Sequence, residues 1–444
     1  MPSKELWGPQ TALAIDNFPI SGLRMHPDLI RALAMIKAEA AIVNYELEVG
    51  AIDSTIAEAV SAASVAVAEG GYITQFPVDV FQTGSGTSTN MNVNEVITSL
   101  AAQTLGMPVH PNDHVNASQS SNDAVPTAAR IAAASLIFRD LLPRCSQLCD
   151  ELQSKASEFA HVVKAGRTHL MDAVPTTVGA EFASYASQVR HAMANLARVA
   201  ECLFVLPLGG TAVGTGLNAP EQFGPRVVER LAVRTGLQLS VAANRLSLVA
   251  AHDDLVTCSA ALRTLAISLV KIANDLRWMA SGPETGLAEI SLPTLQAGSS
   301  IMPGKINPVM PEVVVQVAAQ VIGNDACIAF CGAQGAFELN ATIPVVTHNL
   351  LQSIDLLSNV VLLFTHRCVA GIVVDSERCR EFAGSSPAIA TALVPMIGYD
   401  LVAEIVREAS QTGRTITAVA LERTEIEPAE LRAILDLDKM ASGG

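Results

Sequence analysis

The 444-residue chain carries 28 Lys and Arg against 43 Asp and Glu, for a formal net charge of −15, and half of its residues are apolar while only 4% are aromatic. Such an excess of negative charge repels phosphate backbones and anionic lipid surfaces, which argues against nucleic-acid and membrane partners. The length exceeds one ordinary core and predicts two or three domains.

Residues 1–7 lack the basic and apolar segments of a secretory signal, and no apolar run is expected to reach the ~18 residues that cross a bilayer. A cytoplasmic protein is the expectation. Residues 26–48 space apolar side chains at helical intervals, and Thr55-Ile-Ala-Glu58 resembles a capping box opening a helix that stops near Gly70 and Gly71. Next comes Thr83-Gly84-Ser85-Gly86-Thr87, ahead of Asn90-Met-Asn92-Val-Asn94-Glu95. Glycines alternating with hydroxyls before a helix form a small donor nest, although alone this stretch reads as an N-cap turn.

Two polar, loop-like stretches follow, His110-Pro111-Asn112-Asp113 and 118–123, the latter holding Ser120, Ser121 and Asn122. Helix is predicted from 127 to about 160 with a kink at Pro143, then a loop carrying Gly166-Arg167-Thr168-His169-Leu-Met-Asp172, then helix over 175–204. The run GGTAVGTGLNA at 209–219 contains a formal G-x-G-x-x-A. It is set aside as a dinucleotide site because Pro220 would stop a helix and no β–α–β alternation surrounds it. Residues 245–279 read as one long helix closed by Ser281-Gly282-Pro283.

The stretch GSSIMPGKINPVMPE at 298–312 places two serines, a lone lysine and an amide between glycines, and then turns apolar. Pro308 suits a first helical turn, where its missing N–H has no intrahelical partner. The segment reads as a glycine-hinged loop feeding a helix, able to offer N–H groups, hydroxyls and one cation to an anion. Helices are predicted over 308–325 and 333–370. Several lack a wet face, VVVQVAAQVI at 313–322 most clearly. One chain has too few such helices to enclose one another, so an oligomer with a shared helical core is expected. From Val374 charge returns and helices shorten. The expected organisation is mainly all-α, with an N-terminal region 1–119, a central long-helix bundle 120–373 and a small C-terminal helical domain 374–444. The eight cysteines include no C-x-x-C; Cys145/Cys149 and Cys327/Cys331 share helical faces as small apolar residues, so neither disulfides nor zinc are expected.

Four polar clusters thus stand at the mouths of long helices: around Ser85, Thr87 and Asn90; Ser120 to Asn122; Thr168 and His169; and Ser299 to Asn307. They supply hydroxyls, amides, one imidazole and one lysine, without a nucleophile elbow, a phosphate loop or a metal-ligand set. Such donors suit a small carboxylate.

The run Gly298-Ser299-Ser300-x-Met302-Pro303-x-Lys305-x-Asn307-Pro308 resembles the signature loop of the fumarase/aspartase superfamily, and with Gly304 before Lys305 it is most similar to class II fumarases. The resemblance extends from Leu6-Trp7-Gly8 to the C-terminal region. It implies a cofactor-free, metal-free hydro-lyase acting on a small dicarboxylate, L-malate or fumarate. It also implies a homotetramer in which three subunits build each active site. Ser299 matches the serine that removes a proton beside a carboxylate; Lys305 and Asn307 match residues that hold that carboxylate. His169 matches the acid/base histidine and Glu312 its carboxylate partner. Ser85, Gly86, Thr87, Asn90, Ser120, Ser121, Asn122, Thr168, Ser300 and Ile306 match substrate-contacting positions. His110, Pro111, Asn112 and Asp113 match a second, non-catalytic anion site.

Two alternatives stay open at this level, an aspartate ammonia-lyase on the same scaffold and a non-catalytic helical assembly. Ser299, Lys305, Asn307 and His169 weigh against the second, because a scaffold alone does not require them. Against the first, aspartases tend to carry glutamine where His169 stands and threonine where Ser121 stands. His114 and the run after Pro308 are aspartase-like.

Overall fold

Long and short helices, a hairpin and connecting loops make up residues 5–442, the part of the chain that the computed structural model describes. Helix accounts for 66% of the chain, and the strands are few and short, as a mainly all-α architecture requires. The chain forms two compact units, one from Met1–Pro143, Ala192–Ile267 and Val317–Asn359, the other from Arg144–His191, Ser268–Gln316 and Val360–Gly444.

In the first unit, the helix Pro27–Glu46 is buried on nearly all sides among Ser54–Ala68, Thr87–Leu105 and Ser121–Leu136. Its alanines 32, 34, 38, 40 and 41 are at most 2% exposed, and such small side chains let helices approach closely. The N-terminus of Pro9–Asn17 is held by one carboxylate. Glu95 accepts from the amides of Gly8 (2.9 Å), Gln10 (2.9 Å) and Thr11 (3.0 Å) and from the Thr11 hydroxyl (2.6 Å). A Cβ on Gly8 would lie 2.9 Å from that carboxylate, so Trp7-Gly8 and the distant Asn94-Glu95 form one device. Glu95→Ala should cost about 3 kcal/mol by leaving these donors without an acceptor. Hydrogen exchange should then speed up first at residues 9–17; unchanged protection there would show that the helix does not depend on Glu95.

In the second unit, a separate apolar cluster gathers Leu393, Ile405, Val419, Ala420 and Leu431, all fully buried, so the shorter helices near the C-terminus have a core of their own.

Several expectations change. Residues 163–177 form no open loop but an antiparallel hairpin, Val163–Thr168 paired with Met171–Thr177, and the following helix is Val178–Ala200. The helix placed at 127 starts at Ser121, because Ser120 and Asp123 form a capping box, and it carries Pro126 inside. Its irregularity is a wide turn over Ile137–Leu141, ahead of Pro143, whose ring and missing N–H cannot continue a regular ladder. Asp53, not Thr55, caps Ser54–Ala68 by accepting from the Ile56 amide at 2.8 Å. The helix predicted over 245–279 breaks into Arg245–Ala250 and Asp253–Met279, where two aspartates open the second piece. Three helices, Asp253–Met279, Val309–Gly332 and the run Ile343–Gly371, are long and apolar enough to cross a membrane by length and composition. The sequence expectation overlooked them because scattered polar residues and single charges, such as Arg263, Asp325 and Asp355, keep each unbroken apolar run short while the mean hydropathy stays high.

Candidate active site

Two of the polar clusters meet in the first unit. The hydroxyls of Ser85 and Thr87 lie 2.7 Å apart, and Thr87 is again 2.7 Å from the Ser121 hydroxyl. Two helix N-termini, those of Thr87–Leu105 and Ser121–Leu136, therefore present one chain of hydroxyls. Gly86 caps the first of them at φ 75°, and a Cβ there would lie 2.9 Å from Val125. Ser120 caps the second, its hydroxyl accepting from the Asn122 amide at 3.2 Å. Asn90 is 2% exposed; its Nδ2 donates to Asn116 Oδ1 (3.1 Å), which also takes Asn94 Nδ2 (3.2 Å) and the ammonium of buried Lys37 (2.8 Å). Burial lowers the Lys37 pKa to about 7, with Asp123 opposing.

The sequence reading missed Asp123 and the glycine-rich loop that it organises. Fully buried Asp123 accepts from the amides of Ser120 (2.9 Å), Gly209 (3.0 Å) and Thr211 (2.9 Å). Burial raises its pKa, while those amides oppose the rise. Asn122 Nδ2 also donates to the Ala212 carbonyl at 2.8 Å. The loop at 209–219 thus closes on Ser120 to Asn122, and two of its amides already serve an internal carboxylate. A small parallel strand pair, Val205–Leu206 with Ser240–Val241, does flank the helix Phe223–Thr235, so the absence of β–α–β alternation was the wrong reason to set a dinucleotide aside. Asp123 is the sound one. Its signal in the sequence was only an aspartate three residues after an N-cap serine.

The other clusters lie in the second unit. Thr168 ends the first hairpin strand, and the two-residue tip is His169 and Leu170, both left-handed at φ 58° and 60°. Neither is Asn or Gly, the residues that such turns favour, and each costs about 1–2 kcal/mol there. The His169 imidazole is exposed and has no hydrogen-bonding or ionic partner among the described residues.

The loop at 298–307 closes on itself. Gly298 donates to the Lys305 carbonyl at 2.9 Å, and Asn307 Nδ2 donates to the Gly298 carbonyl at 2.8 Å. A Cβ on Gly298 would stand 2.4 Å from the Lys305 oxygen, so glycine is required there. Gly304, at φ 81°, completes the turn. Within this loop the Ser299 hydroxyl oxygen accepts from two backbone amides, Ile301 at 3.2 Å and Met302 at 2.9 Å. Two N–H groups aimed at one hydroxyl oxygen favour negative charge on it. Ser300, Lys305 and Ile306 are exposed. Glu312 sits in the first turn of Val309–Gly332, and among the described residues it neither hydrogen-bonds nor ion-pairs with His169.

His110 lies in the first unit, before the wide turn Pro111–Val115, and accepts at Nδ1 from the Asp113 amide at 3.1 Å. Asn112 and Asp113 are exposed and Pro111 is half-buried. Among the described residues no group of three His, Cys, Asp or Glu side chains could hold a metal ion.

Comparison with known proteins gives a consistent picture. Residues 1–323 match the Lyase family and residues 389–442 match the Fumarase C C-terminus family. The chain is 53% identical to a class II fumarate hydratase of Mycobacterium tuberculosis over 443 residues, covering 99% of this chain and 92% of that one. It is 48% identical to a class II fumarate hydratase of Xylella fastidiosa, covering 100% and 93%. The crystal structure of a class II fumarase from Schistosoma mansoni superposes with a TM-score of 0.96 at 36% identity, over 99% of this chain and 96% of that one.

Proposed function

Because this chain belongs to the class II fumarases of the fumarase/aspartase superfamily, we propose that its four polar clusters are the parts of one active site. The reaction is that of a fumarate hydratase, the reversible anti elimination of water from L-malate to give fumarate. The observation that carries the site assignment is the pair of amides on the Ser299 hydroxyl oxygen. A serine is a weak base in water. Here the alkoxide that must take a proton from C3 of malate would have two N–H donors already aimed at it, with Lys305 on the same loop.

As that C–H bond breaks, its electron pair moves into the adjacent carboxylate, giving a dianionic aci-carboxylate that Lys305 and Asn307 would hold. Collapse of this intermediate forms the double bond and expels the C2 hydroxyl. Protonated His169 gives that hydroxide its proton, so water leaves and both groups reset by exchange with solvent. The hydroxyls of Thr87, Ser120 and Ser121, the amides of Asn90 and Asn122, Thr168, Ser300 and the backbone at Ser85, Gly86 and Ile306 would bind and orient the dicarboxylate. His110 to Asp113 would form the second anion site.

Glu312 as partner to His169 belongs to the same reading, supplied across a subunit boundary, since among the described residues the two side chains do not pair with each other. A homotetramer with sites built by three subunits follows. It is supported by exposed apolar side chains on the long helices, such as Ile322 at 41% and Phe330 at 68%. The three-part division at 119/120 and 373/374 belongs here too. So does a cytoplasmic location, for which the free state of all eight cysteines speaks.

Mixing two inactive variants tests the shared site. A Ser120→Ala/Ser121→Ala chain and a Ser299→Ala chain, refolded together, should recover a fraction of wild-type turnover, because some sites receive both intact segments. Each variant refolded alone should stay inactive. If the mixture shows only the sum of the two separate activities, each site is built within one chain and the assembly proposed here is wrong.

A further inference from the structure

The first strand of the hairpin that carries His169 is tied to a buried ionic cluster. Arg167, two residues before the tip histidine, donates through Nη1 to both oxygens of Glu289, at 2.8 and 2.9 Å. Lys164, on the same strand, lies 3.2 Å from Glu289 and donates to both oxygens of Glu181, at 3.0 and 2.8 Å. Lys164 is 2% exposed and Glu289 fully buried, so these are desolvated charges rather than a solvated surface pair. The backbone of Glu289 is pinned as well: its amide donates to the Met279 carbonyl (2.8 Å) and its carbonyl accepts from Asp375 (2.9 Å). Glu289 is thus a fixed point to which two side chains of one strand are tied.

The body of the hairpin packs against the helix Ser376–Ser385. Towards the tip, the Arg167 guanidinium lies 5.9 Å from the Phe382 ring of that helix. Leu170 is 65% exposed and, with Lys164 and Arg167, lines a cavity of about 620 Å³. Neither turn residue favours its left-handed conformation, and such conformations persist only where surrounding contacts over-determine them. The clamp supplies such contacts, holding Arg167 on a buried carboxylate two residues before His169.

We propose that Glu289 is a positioning residue for the elimination: by holding Arg167 and Lys164 it sets the direction in which the hairpin tip presents His169. The inference rests on the reading of His169 as the acid/base group. It gives a buried carboxylate outside the recognised motif a specific role, acting through another residue.

The test is a double-mutant cycle read in steady-state kinetics. Glu289→Gln should lower kcat for L-malate by about a hundredfold, the scale of a small misplacement of a catalytic group, with KM changed by less than about threefold. In a His169→Gln background the same substitution should cost less than about threefold, because the group it positions is gone. Glu289→Gln alone leaves an excess buried cation, which costs stability, so the charge-neutral pair Lys164→Gln/Glu289→Gln is assayed in parallel with the same expectation. An equal loss of kcat in both backgrounds overturns the inference, as does a rise in KM at constant kcat or a fully active charge-neutral variant. Near-normal turnover by His169→Gln itself would instead sink the reading of His169, and this inference with it.

Discussion

Ser299→Ala should lower kcat for malate dehydration by about a thousandfold or more while leaving the assembly and its helix content intact. The alanine removes only the oxygen that accepts the Ile301 and Met302 amides, and Gly298, Lys305 and Asn307 still close the loop on themselves. Substrate affinity should change far less than turnover, because Lys305 and Asn307 remain to hold the carboxylate. Ser300→Ala, one residue on, should be much milder, since it removes one substrate contact from an exposed position. Fumarate formation is followed by its ultraviolet absorbance, and light scattering checks the assembly. An alanine variant with near-normal turnover would show that Ser299 is not the base.

His169→Gln carries the second large effect. Hydroxide is a poor leaving group, so removing its proton donor should depress malate turnover by about 10²–10⁴-fold. Ammonia departs from a group that is already cationic and needs no such donor. The glutamine found at this position in aspartases therefore fits ammonia elimination. The variant should still not deaminate aspartate, because a pocket for the ammonium group would be missing. Wild-type protein should convert L-malate and leave L-aspartate at equal concentration untouched. Deamination of aspartate by the wild-type chain, without malate turnover, would contradict the assigned reaction while leaving the fold and the Ser299 assignment standing.

The signature loop was legible because its closing contacts are local. Gly298 meets Lys305 and Asn307 within ten residues, so a short string of residue types encodes its shape. The cap at Ser120 is as local, with serine and aspartate three positions apart, yet the sequence reading passed over it and began the helix at 127. Helix content was legible from apolar spacing, although boundaries moved at Asp53, Ser120 and Asp253, where local polar residues that apolar spacing does not register open the helices. The hairpin was not legible. Gly166-Arg167-Thr168-His169 has the composition of a loop, and its tip conformation is unfavourable locally.

By itself the sequence determined the superfamily, the mainly helical class and the residue types gathered for carboxylate chemistry, since each is written in short motifs or in periodicity. Tertiary structure alone decided what holds those residues in place. Asp123 finds Gly209 and Thr211 more than 80 positions away, Glu95 finds Gly8 across 87, and Glu289 finds Arg167 across 122. A buried carboxylate can take its donors from any segment that folding brings near, and desolvation enforces the pairing whatever the separation along the chain. No local pattern reports such a partner, because the choice is made by burial.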